Sequence, residues 1–412
     1  MKYNAFMKTS ERLNLSERQN NIIKVLTSVY EKPEIQTADI KKATGLSIST
    51  ISRVLGELKQ KELIEISGKE KIRKGRFPQI LKFNFGCGHI LHIDIKPTVL
   101  YGCISDLSGV IIKKLQKRIK IAELSFERIL LEIKTFYEEL SEKRKVLAAG
   151  LTIPGIADEN KRVISRIPDI PALGGIDLFN EAEQMLGVPV IINNIPGITA
   201  IGERKAYYKN CDNFVYLSVM QSVGIGAGII SNGAIIKGKD FIAGEVGDFY
   251  FDRKSFSNTP KQSIGRLEQY AGLSSLYKRA EELMKSGGAK KLAAALKKHE
   301  LKQPTPHLIE QSIVDGDKDL EEKYLDVIRA WVILIIDIVL LLNPEEIVIG
   351  GAINTENTYT RDVINDILEK ELFVDQKIKL AKSGEDAVYI GGLDMLRSFV
   401  FERILINKAI DN

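Results

Sequence analysis

Apolar residues recur at helical spacing through the first sixty positions and at strand spacing soon after. In SERQNNIIKVLTSVYEK, Ile22, Ile23, Leu26 and Val29 share one face of a helix capped by Ser16. TADIKKATG reads as a second helix, from Thr37 to a left-handed stop at Gly45. LSISTISRVLGELKQKELI opens a third at Ser47. Its spacing predicts that Ile48, Ile51, Val54, Leu55 and Leu58 are buried and that Ser49, Thr50 and Arg53 face outward. LIEISGKEKIRKGRFPQILKFN then reads as two short strands around a basic tip.

From His89 the period becomes two. HILHIDI, VLYGCISDL and VIIKKLQKRI predict three consecutive strands, with Leu107-Ser108-Gly109 turning the second hairpin. A helix over about 125–143 and a strand in VLAAGLTIPG follow. VIINNIPGITAIGE, at 190–203, reads as strand, loop and helix. The same β-β-β-α-β order recurs in NFVYLSVM, GIGAGIIS, GAIIKG, a run of helices and EEIVIGGAI. Two such halves predict two α/β lobes with a cleft between them. The most apolar stretch, IRAWVILIIDIVLLL at 328–342, is too short to span a bilayer and contains Asp337, so it is expected to be a buried core helix.

The chain has 412 residues, which suits two or three domains. No arginine-flanked apolar leader opens it, which argues against secretion. Cys87, Cys103 and Cys211 are scattered without paired spacing, as expected of reduced, packed thiols in a cytoplasm. Charge changes the picture more. Residues 1–80 hold 16 Lys plus Arg against 9 Asp plus Glu, a net of +7, whereas the whole chain carries +5. The basic excess is thus confined to the first fifth, where a polyanion partner is expected. Two helices around a glycine turn make a helix-turn-helix, and the basic hairpin behind them makes a wing. The candidate DNA contacts are Ser47, Ser49, Thr50 and Arg53 on the third helix and Arg73, Lys74, Gly75 and Arg76 at the wing, the latter suited to a narrow minor groove.

Six stretches carry a further resemblance: LTIPGIADEN at 151–160, VIINNIPGITAIGE, SVGIGAGIISNGAIIKG at 222–238, AGEVGD at 243–248, GRLEQYAG at 265–272 and PEEIVIGGAI at 344–353. In order and spacing they resemble the ROK family of repressors, open reading frames and sugar kinases, in its repressor branch. The resemblance implies an α/β chain: a winged helix over 1–83, then an actin/hexokinase-like (ribonuclease H-like) domain. Its first lobe would span 84–195, joined by a C-terminal helix at 393–412, and its second 196–392. In the kinases of that family, ATP and a sugar share the cleft.

The departures from the family pattern bear on function. Where family kinases place paired glycines against ATP phosphates, this chain reads IDIKPTVLYG: Asp94 is kept, but Lys96 and Pro97 follow, and proline offers no N–H. Val223 stands where kinases usually carry a threonine. Ile195 stands where they carry the aspartate that takes a proton from the sugar's 6-hydroxyl. Isoleucine accepts no proton, and neither does the amide of Asn194. The family's zinc histidine is Asp248 here, and its three cysteines align with Thr259, Lys261 and Arg266, so no metal site and no cofactor are expected. Of the sugar contacts the resemblance implies, Gly155, Asn194, Glu245 and Glu268 are retained, Asp169 replaces an asparagine, and Asp248 completes the set. An apolar Ile195 fits a sugar lacking the exocyclic hydroxymethyl, such as a pentose.

These features lead to a non-enzymatic, cytoplasmic, sugar-responsive repressor of carbohydrate (xylose, on the Ile195 argument) genes. It would bind a palindromic double-stranded operator as a homodimer or larger homo-oligomer, with no membrane partner. A sugar kinase with a fused DNA-binding module, and a repressor ruled by a protein partner with a vestigial cleft, remain the alternatives.

Overall fold

The computed structural model describes residues 15–69, 79–220, 224–250, 266–353 and 358–411. Three short helices open it: α1 (Glu17–Tyr30), α2 (Thr37–Thr44) and α3 (Ile48–Gln60). Ser16 and Gln19 form a reciprocal capping box at the start of α1, and Gly45, at φ 72°, ends α2 in the left-handed region. A sheet of order β1-β3-β2 closes the module, from β1 (Ile35–Gln36), β2 (Ile64–Lys69) and β3 (Gln79–Phe83). The two-residue β1 is absent from the sequence reading because it is too short for any period to announce it.

The first lobe is built on a five-stranded sheet of order β10-β7-β4-β5-β6. Its strands are β4 (His89–Lys96), β5 (Val99–Asp106), β6 (Ile111–Arg118), β7 (Val146–Ile153) and β10 (Val190–Asn194). The parallel step from β6 to β7 passes through α4 (Phe126–Ser141), and a small hairpin, β8 (Ile156–Asp158) with β9 (Val163–Arg166), and α5 (Leu178–Leu186) lie before β10. Helix α6 (Ile195–Tyr207) then leads into the second lobe.

There β11 (Phe214–Val219), β12 (Ile225–Ser231), β13 (Ala234–Ile235), β14 (Glu346–Gly351) and β15 (Ile378–Leu380) form a second five-stranded sheet, of order β13-β12-β11-β14-β15. Among the described residues six helices accompany it: α7 (Arg266–Ala271), α8 (Leu273–Lys285), α9 (Lys290–Lys298), α10 (Pro306–Val314), α11 (Lys318–Leu342) and α12 (Tyr359–Glu371). The expected buried helix at 328–342 is the end of α11, but only one face is buried. Ile328, Trp331 and Ile335 are in the core, whereas Ile333, Leu340 and Leu341 are exposed, because a 25-residue helix at the edge of a lobe has just one neighbour side.

The C-terminal α13 (Asp386–Phe399) starts earlier than the expected 393. It continues through a π-helical turn, Val400–Leu405, into α14 (Ile406–Ile410). One apolar cluster runs from Ile22, Leu26 and Ile51 of the N-terminal module, through Val400, Phe401 and Ile406, to Ile90 and Ala148 of the first-lobe sheet. Tyr30 stacks on Phe401 with ring centroids 4.0 Å apart, and the Lys61 ammonium donates to the carbonyls of Lys408 and Ala409 at 3.0 Å each. The N-terminal module therefore sits on the chain's own C-terminal helices.

Candidate functional site

On α3 the hydroxyls gather at the helix start. Ser47 Oγ accepts from the Thr50 amide at 3.1 Å and lies 2.9 Å from Ser49 Oγ and 2.8 Å from Thr50 Oγ1. Ser47, Ser49 and Arg53 are exposed and Thr50 is half-buried. Ile48, expected inside, is 56% exposed, because the first turn projects past the three-helix core. It thus adds an apolar group to the outward face. Arg73, Lys74, Gly75 and Arg76 lie outside the described residues.

At the junction of the two lobes, the expected loop after β10 is missing: strand passes directly into helix. Asn194 is the N-cap, its Oδ1 accepting from the Gly197 amide at 3.2 Å, and Pro196 occupies the first turn, where its missing N–H costs nothing. Ile195 is buried with Ile198 and Val388. Asp94, at the end of β4, is buried, and its Oδ1 has no hydrogen-bond partner among the described residues. Burial lifts its carboxyl to about 6 despite the Lys96 ammonium, 3.6 Å from Oδ2. That ammonium also lies 4.6 Å from the centre of the Tyr101 ring. The hollow beside them spans about 190 Å³, counting its open mouth.

The remaining expected ligand residues converge from both lobes. Arg166, at the end of β9, meets Asp248, in a short turn of the second lobe, with Nη1 to Oδ2 at 2.5 Å and Nη2 to Oδ1 at 3.3 Å. Glu245 and Glu268 lie within electrostatic reach of that guanidinium, and Asp169 and Glu245 within reach of Glu268. Glu268, at the start of α7, is buried, and its Oε1 has no hydrogen-bond partner among the described residues. Burial pushes its carboxyl up to about 7, partly offset by Arg166; burial raises Glu245 as well. Gly155 packs so closely that an added Cβ would overlap the Arg166 carbonyl. Asn194 lines an adjoining cavity of about 490 Å³, counting its open mouth. At its rim Lys237 of the second lobe donates to Glu159 at 2.5 Å and Asn193 at 3.2 Å in the first. A cluster with one guanidinium, several carboxylates and an unpaired buried carboxyl oxygen offers acceptors to hydroxyl donors. Among the described residues no group of three or more His, Cys, Asp or Glu is arranged to hold a metal ion; Asp248 is engaged by Arg166, and the Arg266 guanidinium lies 4.1 Å from the centre of the Tyr250 ring. Thr259 and Lys261, like Val223, lie outside the described residues.

Arg166 and Lys237 are the residues that sequence reasoning missed. Their partners are 82 and 78 positions away, and no local spacing points to either.

A ROK family model matches residues 90–398, and a MarR family model matches residues 20–70. The chain is 26% identical over 395 residues to the xylose repressor of Caldicellulosiruptor bescii, covering 92% of this chain and 96% of that one. A solved ROK family transcriptional regulator, a homologue of Escherichia coli Mlc, superposes with a TM-score of 0.75 at 21% identity, over 96% of this chain and 99% of its own. The ROK family glucokinase of Streptomyces griseus, solved with glucose and AMPPNP, superposes with a TM-score of 0.62 at 21% identity, over 75% of this chain and 99% of its own. Among the described residues no helix is long and apolar enough to cross a membrane.

Proposed function

The chain belongs to the ROK family, and on that premise we propose that it is a sugar-responsive transcriptional repressor of carbohydrate-utilisation genes. Its two lobes would bind a sugar without transferring phosphate, and its MarR-type winged helix would read a palindromic operator. One observation carries this reading. The place of a proton acceptor is filled by Ile195 in an apolar cluster beside the Asp94–Lys96 pair, while hydroxyl-binding carboxylates remain gathered in the cleft.

In this proposal Ser47, Ser49, Thr50 and Arg53 face the major groove, with Arg73, Lys74, Gly75 and Arg76 in the wing. Gly155, Asp169, Asn194, Glu245, Asp248 and Glu268 form the effector site. We assign residues 1–83 to the winged helix, 84–195 with the C-terminal helices to the first lobe, and the intervening residues to the second. The pentose reading rests on Ile195 and on the xylose repressor among the relatives. Two copies and a cytoplasmic setting belong to the proposal because a palindrome presents two half-sites to two modules.

The test is fluorescence anisotropy on an operator fragment from the neighbourhood of the chain's own gene, with D-xylose, D-glucose or no sugar. Release of DNA by one sugar supports the reading. DNA binding indifferent to every sugar overturns it in favour of control by a protein partner. In parallel, Ile195→Asp should consume no ATP above background with either sugar, because Lys96 and Pro97 remain. Turnover by the variant would show that Lys96 and Pro97 still admit a phosphate, and turnover by the wild type would overturn the non-enzymatic assignment.

A further inference from the structure

The cleft holds three acidic groups, Glu245, Asp248 and Glu268, within reach of the Arg166 guanidinium, and Asp169 within reach of Glu268. That guanidinium does not face them equally. Two of its N–H groups are engaged by both oxygens of Asp248, a fork-to-fork pairing that fixes direction as well as distance. Arg166 belongs to the first lobe and Asp248 to the second, so the pair also bridges the cleft. The backbone at the foot of each partner is closely packed: an added Cβ on Gly155 would overlap the Arg166 carbonyl, and one on Gly247 would lie 2.8 Å from the Ile225 carbonyl and 3.0 Å from Glu268 Oε2.

We propose that Arg166, held by Asp248, is the residue that sets which charge class of sugar the cleft accepts. The inference rests on the effector reading above. With its fork directed at Asp248, Arg166 cannot offer those N–H groups to an incoming anion. Glu245 and Glu268 then present acceptors for hydroxyls, and the paired guanidinium leaves its Asp248-facing N–H groups closed to a carboxylate or phosphate. The cleft takes an uncharged sugar and turns away sugar acids and sugar phosphates. Were Asp248 neutral, the same fork would become available, and bidentate recognition of an anionic group would follow.

Calorimetric titration of the full chain tests this with D-xylose, D-glucose, D-glucuronate and D-glucose 6-phosphate. The wild type is expected to bind a neutral sugar and neither anion. Asp248→Asn should gain at least tenfold in affinity for one of the anions while binding the neutral sugar more weakly. Arg166→Met should weaken the neutral sugar and gain no anion. The exchanged pair, Arg166→Asp with Asp248→Arg, keeps a bridge and should return toward the wild-type class. This also covers the case in which a single variant fails to fold. A wild type that binds an anion as tightly as a neutral sugar, or a folded Asp248→Asn variant with unchanged selectivity, overturns this inference alone. A wild type that binds none of the four overturns the effector reading with it.

Discussion

Glu268 is the residue at which the cleft's electrostatics can be read most directly. Its carboxyl, buried and raised to about 7, holds a proton in the folded chain that it would release in the unfolded chain above about 4.5. The folded state therefore binds more protons between those values, and stability falls as pH rises from about 4.5 to 7. Glu268→Gln should remove that slope. Melting curves between pH 5 and 8 should show the variant gaining on the wild type by about 1–3 kcal/mol, since each tenfold difference in proton affinity between the two states is worth about 1.4 kcal/mol. Parallel curves would place the charge elsewhere. Asp94 pulls in the same direction, and the comparison cancels it because both proteins contain it. The residue scale is also where the sequence was least legible. Asn194, Glu245 and Glu268 could be matched to a pattern, but Arg166 gained meaning only when the fold placed it opposite Asp248. Ile48 obeyed helical period and still ended exposed, because period reports which side a residue faces and not whether that turn has a neighbour.

Among the elements, the crossing of α6 and α13 links the candidate effector cleft to the DNA-reading module. Helix α6 begins at the Asn194 cap, and α13 runs on into the turn that supports Tyr30. Gly202 and Gly391 bring the two backbones together: an added Cβ on the first would overlap the Ala387 carbonyl, and on the second the Ile198 carbonyl. Glu203, fully buried, accepts from the Lys382 and Ser383 amides at 2.8 and 3.0 Å and fixes the approach to α13, and Lys205 pairs with Asp394. Gly391→Ala should cost about 1–3 kcal/mol, as over-packing generally does. It should also blunt the effect of sugar on operator affinity more than it alters sugar affinity itself. Equal losses in both, by anisotropy and calorimetry on the same preparation, would show mere loosening. Strands and long helices were legible because two-residue and 3.6-residue periods persist over several turns. The junction at 194–195 was not, because Pro-Gly ordinarily marks a loop and here opens a helix.

For the whole molecule, the division into a winged helix and two lobes was legible from the recurrence of one strand order and from the charge confined to the first fifth. Which surfaces remain bare was not. The outer face of α11 exposes Ile333, Leu340 and Leu341, the last at 75%. Leu341→Glu removes no buried contact, so its stability by denaturant melts should stay within about 0.5 kcal/mol of the wild type, as substitutions on an exposed face usually do. A larger loss would show that this face is covered.

Tyr30, stacked on Phe401, and Lys61, anchored on the carbonyls of Lys408 and Ala409, have a consequence for biosynthesis. The module that reads DNA is the first of these regions to leave the ribosome, yet its floor is made from residues translated at the far end of the chain. Until residues 400–411 emerge, the side of α1 around Tyr30 stays wet. A message cut short after the second lobe would give a protein with a sugar cleft and an unfinished reading head, so an incomplete copy would not hold an operator that a finished one should release.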